Sequence, residues 1–256
     1  MLLLVSVVDP SEVASAIKGG ADIIDVKNTR EGALGASQPH TIVKVRQQTP
    51  ASLPVSAALG DAPYQPGAVS LAALGAVTCG ADYVKVGLHG VSTYDQTLHL
   101  MSAVRRAVKS QRREVRAIAA AFADAASFGA VAPGDALEAA IAAKSDGFML
   151  DTASKDGSTL FDYCTDEQLS QLIAKCHDHG LFCALAGSLR AADSARLVSL
   201  RPDVVGYRSA ACKGDRQNGR VEQGLVAALK DGLYQAGCQL SVHSPKAAAA
   251  SRGVCR

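Results

Sequence analysis

The chain of 256 residues contains no tryptophan, and aromatic residues make up only 4% of it. It has no basic stretch interleaved with flat rings, so it lacks the surface on which single-stranded nucleic acid stacks. A formal net charge of +2 is likewise too small to argue for nucleic acid, although local basic clusters remain available to bind phosphate. Long apolar runs are missing too. The only early one, Leu2 to Val8, is too short to span a bilayer and has neither a charged leader nor a cleavage site. These absences predict a soluble, cytoplasmic protein with no nucleic-acid or membrane partner. Seven cysteines, at positions 79, 164, 176, 183, 212, 238 and 255, form no Cys-x-x-Cys pair. Their odd number and scatter predict reduced thiols and exclude a disulfide framework or a zinc site. Cys212 is the one cysteine near the expected active face, as a reactive thiol or a passive loop residue. No metal-ligand cluster or nucleotide loop is evident, so no metal and no cofactor is expected.

What the chain does contain is a repeated phrase, Gly20-Ala21-Asp22-Ile23-Ile24-Asp25-Val26-Lys27 and Gly80-Ala81-Asp82-Tyr83-Val84-Lys85-Val86-Gly87. Each reads as a short strand carrying a lysine. At the exit of an apolar strand, desolvation and neighbouring cations lower a lysine's pKa and yield a free amine that attacks carbonyls. Two further segments, Asp146–Asp151 and Asp203–Arg208, share the leading aspartate. Aligned on it, one parity holds Ile24, Val26, Val84, Val86, Phe148 and Leu150, an apolar face suited to packing under helices. The other holds Asp25, Lys27, Tyr83, Lys85, Met149 and Asp151, a mixed set that belongs inside a barrel near its mouth. The alignment places Lys27, Gly87, Asp151 and Arg208 at one level, with Asp25, Lys85, Met149 and Gly206 one layer deeper. The leading aspartates Asp22, Asp82, Asp146 and Asp203 are read as strand starts.

Strands are predicted at Leu2–Val7, Asp22–Lys27, Pro54–Ala58, Asp82–Val86, Val115–Ala121, Gly147–Asp151, Leu181–Ala186 and Asp203–Tyr207. Helices are predicted near 10–19, 38–48, 67–79, 94–109, 134–144, 166–179, 191–199 and 221–235. Eight strand–helix pairs predict a single (βα)8 TIM barrel over residues 1–237. A doubly wound open sheet is the runner-up, without the Gly-x-Gly-x-x-Gly that should follow its first strand. Residues 238–256, basic and alanine-rich, read as a short, flexible C-terminal tail.

Catalytic residues of such barrels lie at the C-terminal strand ends, and the loops after strands seven and eight often hold phosphate. Those loops carry Gly187 and Ser188, then Gly206, Arg208 and Ser209, with Arg208 suited to a bidentate contact. The loop after strand six adds Lys155 to the same rim. After strand three, Asp61 is either a ligand contact or a turn-forming residue.

Taken together, Asp22-Ile23-Ile24-Asp25-Val26-Lys27-Asn28, Glu31-Gly32-x-Leu34-Gly35-Ala36, Gly60-Asp61-x-Pro63-Tyr64, Tyr83-x-Lys85-Val86-Gly87, Met149-Leu150-Asp151-Thr152, Lys155-Asp156-Gly157-x-Thr159-Leu160-Phe161-Asp162 and Ala184-Leu185-Ala186-Gly187-Ser188 resemble the (5-formylfuran-3-yl)methyl phosphate synthase family. The resemblance covers roughly residues 1–235, with Thr29 where a proline is expected. It implies a lyase that joins two triose phosphates, starting from glyceraldehyde 3-phosphate, and loses water and one phosphate to form a phosphorylated furan aldehyde for methanofuran-type carriers. By matching motif, Lys27 is the Schiff-base lysine and Lys85 the proton acceptor, supported by Asp151 and Lys155. The residues alone leave open whether Asp151 shuttles protons or Asp25 holds Lys85 charged. They also leave open another Schiff-base aldolase or isomerase, a non-catalytic phosphosugar-binding barrel, and assembly as a homo-oligomer.

Overall fold

The computed structural model describes residues 1–61 and 63–242 of the protein and contains a closed barrel of eight parallel strands. These are β1 (Leu2–Val7), β2 (Ile23–Val26), β3 (Val55–Ala58), β4 (Tyr83–Gly87), β5 (Arg116–Phe122), β6 (Gly147–Asp151), β7 (Phe182–Leu185) and β8 (Val204–Tyr207). Each strand pairs with the next, and β8 returns to β1 with Gly206 opposite Leu4. That last pairing makes the fold a TIM barrel and rules out the open sheet. The outer layer contains α1 (Val13–Lys18), α2 (Pro39–Gln48), α3 (Pro66–Thr78), α4 (Tyr94–Gln111), α5 (Pro133–Ala142), α6 (Leu160–Tyr163), α7 (Asp166–Asp178), α8 (Ser194–Leu200) and α9 (Gln223–Val242). Proline opens α2, α3 and α5, where its fixed φ suits the first turn and its missing N–H has no intrahelical partner to lose. Thr165 and Gln168 form a capping box at the start of α7.

Strand parity separates two cores. Ile24, Val26, Val84, Val86, Phe148 and Leu150 pack outward against the helices, as the alignment predicts. The inward set holds Ala58, Ala120, Ala184 and Ala186 beside Leu4, Ile118 and Met149. So many short side chains leave room for the long ones. Below Lys85 a cavity of about 240 Å³, lined by Ser56, Tyr83, Arg116 and Phe182, opens toward the N-terminal end of the barrel.

The four leading aspartates do more than begin strands. Asp22 accepts from the N–H of Leu3 at 2.7 Å, Asp82 from Val55 at 2.9 Å, Asp146 from Ala117 at 2.8 Å and Asp203 from Cys183 at 2.7 Å. Each therefore ties an even strand to the preceding odd one. Each also meets a basic side chain from the helical layer, namely Lys230, Arg46, Lys109 or His177. One side chain thus sets strand register and helix position together, four times around the ring.

Closure of the ring has its own device at the opposite end. Arg208, directly after β8, makes a two-pronged ion pair with Glu12 at 2.8 and 3.1 Å, and Glu12 lies in the 3-10 turn Pro10–Glu12 after β1. Both side chains are buried. Glu12 also accepts from the N–H groups of Val8 and Val221. Arg208 donates further to the carbonyls of Ser6, Arg216 and Gly219.

Strand boundaries shift by a residue or so from those predicted, which is the usual behaviour of element ends. The first helix is split into the 3-10 turn and α1. A short hairpin after β8, formed by β9 (Cys212–Lys213) and β10 (Arg220–Val221), was not predicted. The last helix runs beyond the expected 235, so residues 238–242 belong to α9 and not to a tail. Residues 243–256 lie outside the described residues. Among the described residues, no helix is long and apolar enough to cross a membrane.

Because Arg208→Ala strands a buried Glu12 carboxylate, the substitution should destabilise the fold by about 3–5 kcal/mol. A melting curve should show Tm lower by roughly 10 °C, and an unchanged Tm would mean that the pair does not close the barrel.

Candidate active site

The predicted lysines and carboxylates converge at the C-terminal mouth. Lys27, one residue past β2, is anchored by its N–H to the carbonyl of Val7 at 3.1 Å, and its side chain enters a pocket shared with Asp25, Lys85, Met149, Asp151 and Lys155. Lys85 Nζ lies 2.8 Å from Asp25 Oδ1, and Asp25 Oδ2 accepts from Ser6 Oγ at 2.9 Å. Lys155 Nζ reaches Asp151 Oδ1 at 3.1 Å and also donates to the Thr152 carbonyl at 2.7 Å. Asp25 and Lys85 therefore form the lower pair, and Asp151 and Lys155 the upper one. Asp25 thus holds Lys85, and Asp151 lines the same pocket as Lys27.

Lys27 is 7% exposed, and no hydrogen bond or ion pair to its amine is found among the described residues. Burial lowers its pKa to about 8; the charge of Asp151 opposes that shift, Lys85 adds to it, Asp25 opposes it, and Lys155 adds to it. The two carboxylates respond differently. Burial alone would raise Asp25, but the charges of Lys85 and Lys27 hold it below the ordinary aspartate value. Burial pushes Asp151 the same way, and Lys155 and Lys27 hold it down. The arrangement is an amine poised to lose its proton near neutrality, flanked by carboxylates that stay ionised.

The phosphate-loop residues divide. Gly187 has φ of 107° and Ser188 of 51°, and Ser188 lines the pocket in a backbone region that few non-glycine residues adopt. Gly206 sits where a Cβ would come within 3.3 Å of Ala186, and Ser209 opens a 3-10 turn at the pocket edge. Arg208 departs from expectation. All its N–H directions are spent on Glu12 and on the carbonyls of Ser6, Arg216 and Gly219, so the guanidinium cannot also clamp a phosphate without breaking the closure of the barrel. Its place in the pocket wall is structural.

Three participants were not singled out from the sequence as parts of the mouth. Ser6 supports Asp25, Glu12 fixes Arg208, and Arg216 enters the pocket from the β9–β10 hairpin. Only the turn-forming run Asp215 to Gly219 hinted at that hairpin. Asp61 accepts from the N–H of Leu34 at 2.9 Å while its other oxygen lies against Gly87, where any Cβ would collide with it. Burial raises the Asp61 pKa. Burial likewise pushes the Cys212 thiol up to about 11, which suits a passive loop residue. Among the described residues no group of three or more His, Cys, Asp or Glu side chains could hold a metal ion.

The amine of Lys27 must shed its proton to react, so its acylation by acetic anhydride, followed by peptide mass, should rise with pH through a midpoint of about 8 and then level off. In Asp151→Asn the charge that supports the ammonium is gone and the midpoint should move lower. A rate still climbing beyond pH 10 would mean an ordinary, solvated lysine.

Comparison with known proteins places this geometry in context. A family model described as 4-HFC-P synthase matches residues 3–230. A (5-formylfuran-3-yl)methyl phosphate synthase from Methanocaldococcus jannaschii is 51% identical over 232 residues, covering 90% of this chain and 99% of that protein. One of the same description from Methanothermobacter thermautotrophicus is 49% identical over 232 residues, covering 90% and 98%. Among solved structures, 3-hexulose-6-phosphate synthase from Salmonella typhimurium superposes with a TM-score of 0.64 at 17% identity, covering 92% of this chain and 100% of that one. KGPDC from Streptococcus mutans gives 0.62 at 13%, covering 92% and 98%. At such low identity these two structures speak to the fold alone. The family model and the near-half identity over almost the whole barrel carry more, and the chain belongs to the (5-formylfuran-3-yl)methyl phosphate synthase family of enzymes.

Proposed function

We propose that the enzyme condenses two triose phosphates derived from glyceraldehyde 3-phosphate into (5-formylfuran-3-yl)methyl phosphate through a Schiff base on Lys27. The observation that carries this reading is a buried, unpaired amine with its pKa lowered to about 8, set between two ion pairs at the barrel mouth. The neutral Lys27 amine attacks the carbonyl of one triose phosphate, and loss of water from the adduct gives an iminium. The iminium draws electrons from the adjacent carbon, so a proton there becomes acidic. Lys85 serves as the base that takes that proton, and the Asp25 carboxylate stabilises the ammonium that results. The enamine then attacks the aldehyde of the second triose.

Ring closure, dehydration and departure of one phosphate need a donor and acceptor on the other side of Lys27. Asp151 and Lys155 occupy that side, their heads 3.1 Å apart, and form a couple able to give and take a proton. Gly187 and Ser188 offer the small, left-handed turn on which phosphate oxygens settle, with Gly206 and Ser209 on the neighbouring loop. The product would feed synthesis of the furan part of methanofuran-type carriers.

With glyceraldehyde 3-phosphate as sole substrate, the protein should accumulate a furan aldehyde, read by its near-ultraviolet absorbance and mass, and Lys27→Ala should abolish it. A hexose phosphate or an isomerised triose in place of the furan would move the protein to a simpler Schiff-base aldolase or isomerase. No turnover and no carbonyl adduct would leave a binding barrel.

A further inference from the structure

The cations of the mouth are unequal in their freedom. Lys85 is paired with Asp25, Lys155 with Asp151 and Arg208 with Glu12. Two are left over among the described residues, Lys27 and Arg216. Arg216 lines the same pocket, yet its side chain makes no hydrogen bond or ion pair there, and its Nη2 is buried from solvent without a partner. An unmet guanidinium donor facing a catalytic pocket is uncommon, because leaving such a group buried and unsatisfied costs on the order of 1–3 kcal/mol or more.

The hairpin that carries Arg216 is built to present it. Asp215 Oδ1 accepts from the N–H groups of Gln217 and Asn218, both at 2.8 Å, and its carbonyl accepts from Gly219 at 2.8 Å. Gly219 admits no Cβ, which would strike the Asp215 carbonyl. The Arg216 carbonyl accepts from Arg208 Nε at 3.1 Å, which ties the hairpin tip to the Glu12–Arg208 pair that closes the barrel. Across the mouth, Gln217 Nε2 donates to the Thr29 carbonyl on the loop after β2. The tip is thus fastened on both sides while the Arg216 side chain remains unengaged. Asp151, Arg208 and Asp61 are the charges that act on it, and Asp151 lines the same pocket.

We propose that Arg216 is a phosphate receptor of the active site, taking the phosphate monoester of a substrate with the donors that the protein leaves unused. This rests on the reading of the pocket as a triose phosphate site. It also supplies what Arg208 cannot, a planar guanidinium with donors to spare for a two-point contact with phosphate oxygens. Arg216 would bind and orient the substrate, with Lys27 left to the covalent chemistry.

The test is calorimetric titration of inorganic phosphate into wild type, Arg216→Ala and Arg216→Lys, with KM and kcat for glyceraldehyde 3-phosphate measured alongside. Arg216→Ala should weaken phosphate binding at least tenfold and raise KM by a similar factor, with kcat changed far less. Arg216→Lys should recover part of both, since it returns the charge without the fork. Tm should stay within a few degrees of wild type, unlike that of Arg208→Ala. Equal phosphate affinity in wild type and Arg216→Ala, or no phosphate binding to wild type, would overturn the assignment. If wild type makes no furan, the synthase reading fails while the phosphate titration still decides the role of Arg216.

Discussion

Burying a lysine ammonium is costly because water no longer solvates the charge, and most proteins avoid it unless a carboxylate lies in contact. At Lys27 the contact is withheld. Both nearby carboxylates are engaged by other cations, Asp25 by Lys85 and Asp151 by Lys155. Desolvation then acts on Lys27 with only partial compensation. The fall from 10.5 to about 8 corresponds to roughly 3 kcal/mol against the ammonium. The pocket therefore achieves by pairing what removal of the carboxylates would also achieve, and it keeps them on hand for proton transfer.

That balance depends on where the strands stand relative to one another. Asp25 and Lys85 come from β2 and β4, which are not neighbours in the sheet, so they meet only because the barrel brings alternate strands into one layer. The aspartates at the strand starts hold that register from below, each tying an even strand to the odd one before it. Glu12 and Arg208 hold the seam between β1 and β8 from above. Small side chains inside the barrel, alanines above all, leave the volume in which lysines can extend. Scaffold and site are thus linked through a few charged groups.

Much of this was legible in the sequence. The period of two within each short strand separated Ile24 and Val26 from Asp25 and Lys27, and alignment on the leading aspartates set Asp25 level with Lys85. Local pattern could not give partners distant in the chain. Arg208 after an apolar strand has the look of an anion clamp, and only folding brings Glu12, 196 residues away, into two-pronged contact with it. Arg216 lies in a polar turn of the kind that usually faces solvent, and it becomes part of the site because the hairpin folds back over the mouth. The extension of α9 to Val242 escaped notice because the apolar period weakens after residue 235 while helix-compatible residues continue.

The central claim is that Lys27, and no other lysine of the mouth, forms the covalent bond to substrate. Borohydride reduction in the presence of glyceraldehyde 3-phosphate, followed by peptide mass mapping, addresses it directly. A triose-derived mass increment on the peptide containing Lys27 is the predicted result, with Lys85→Ala still labelled there. An increment on Lys85 or Lys155 with Lys27 unmodified would contradict the account.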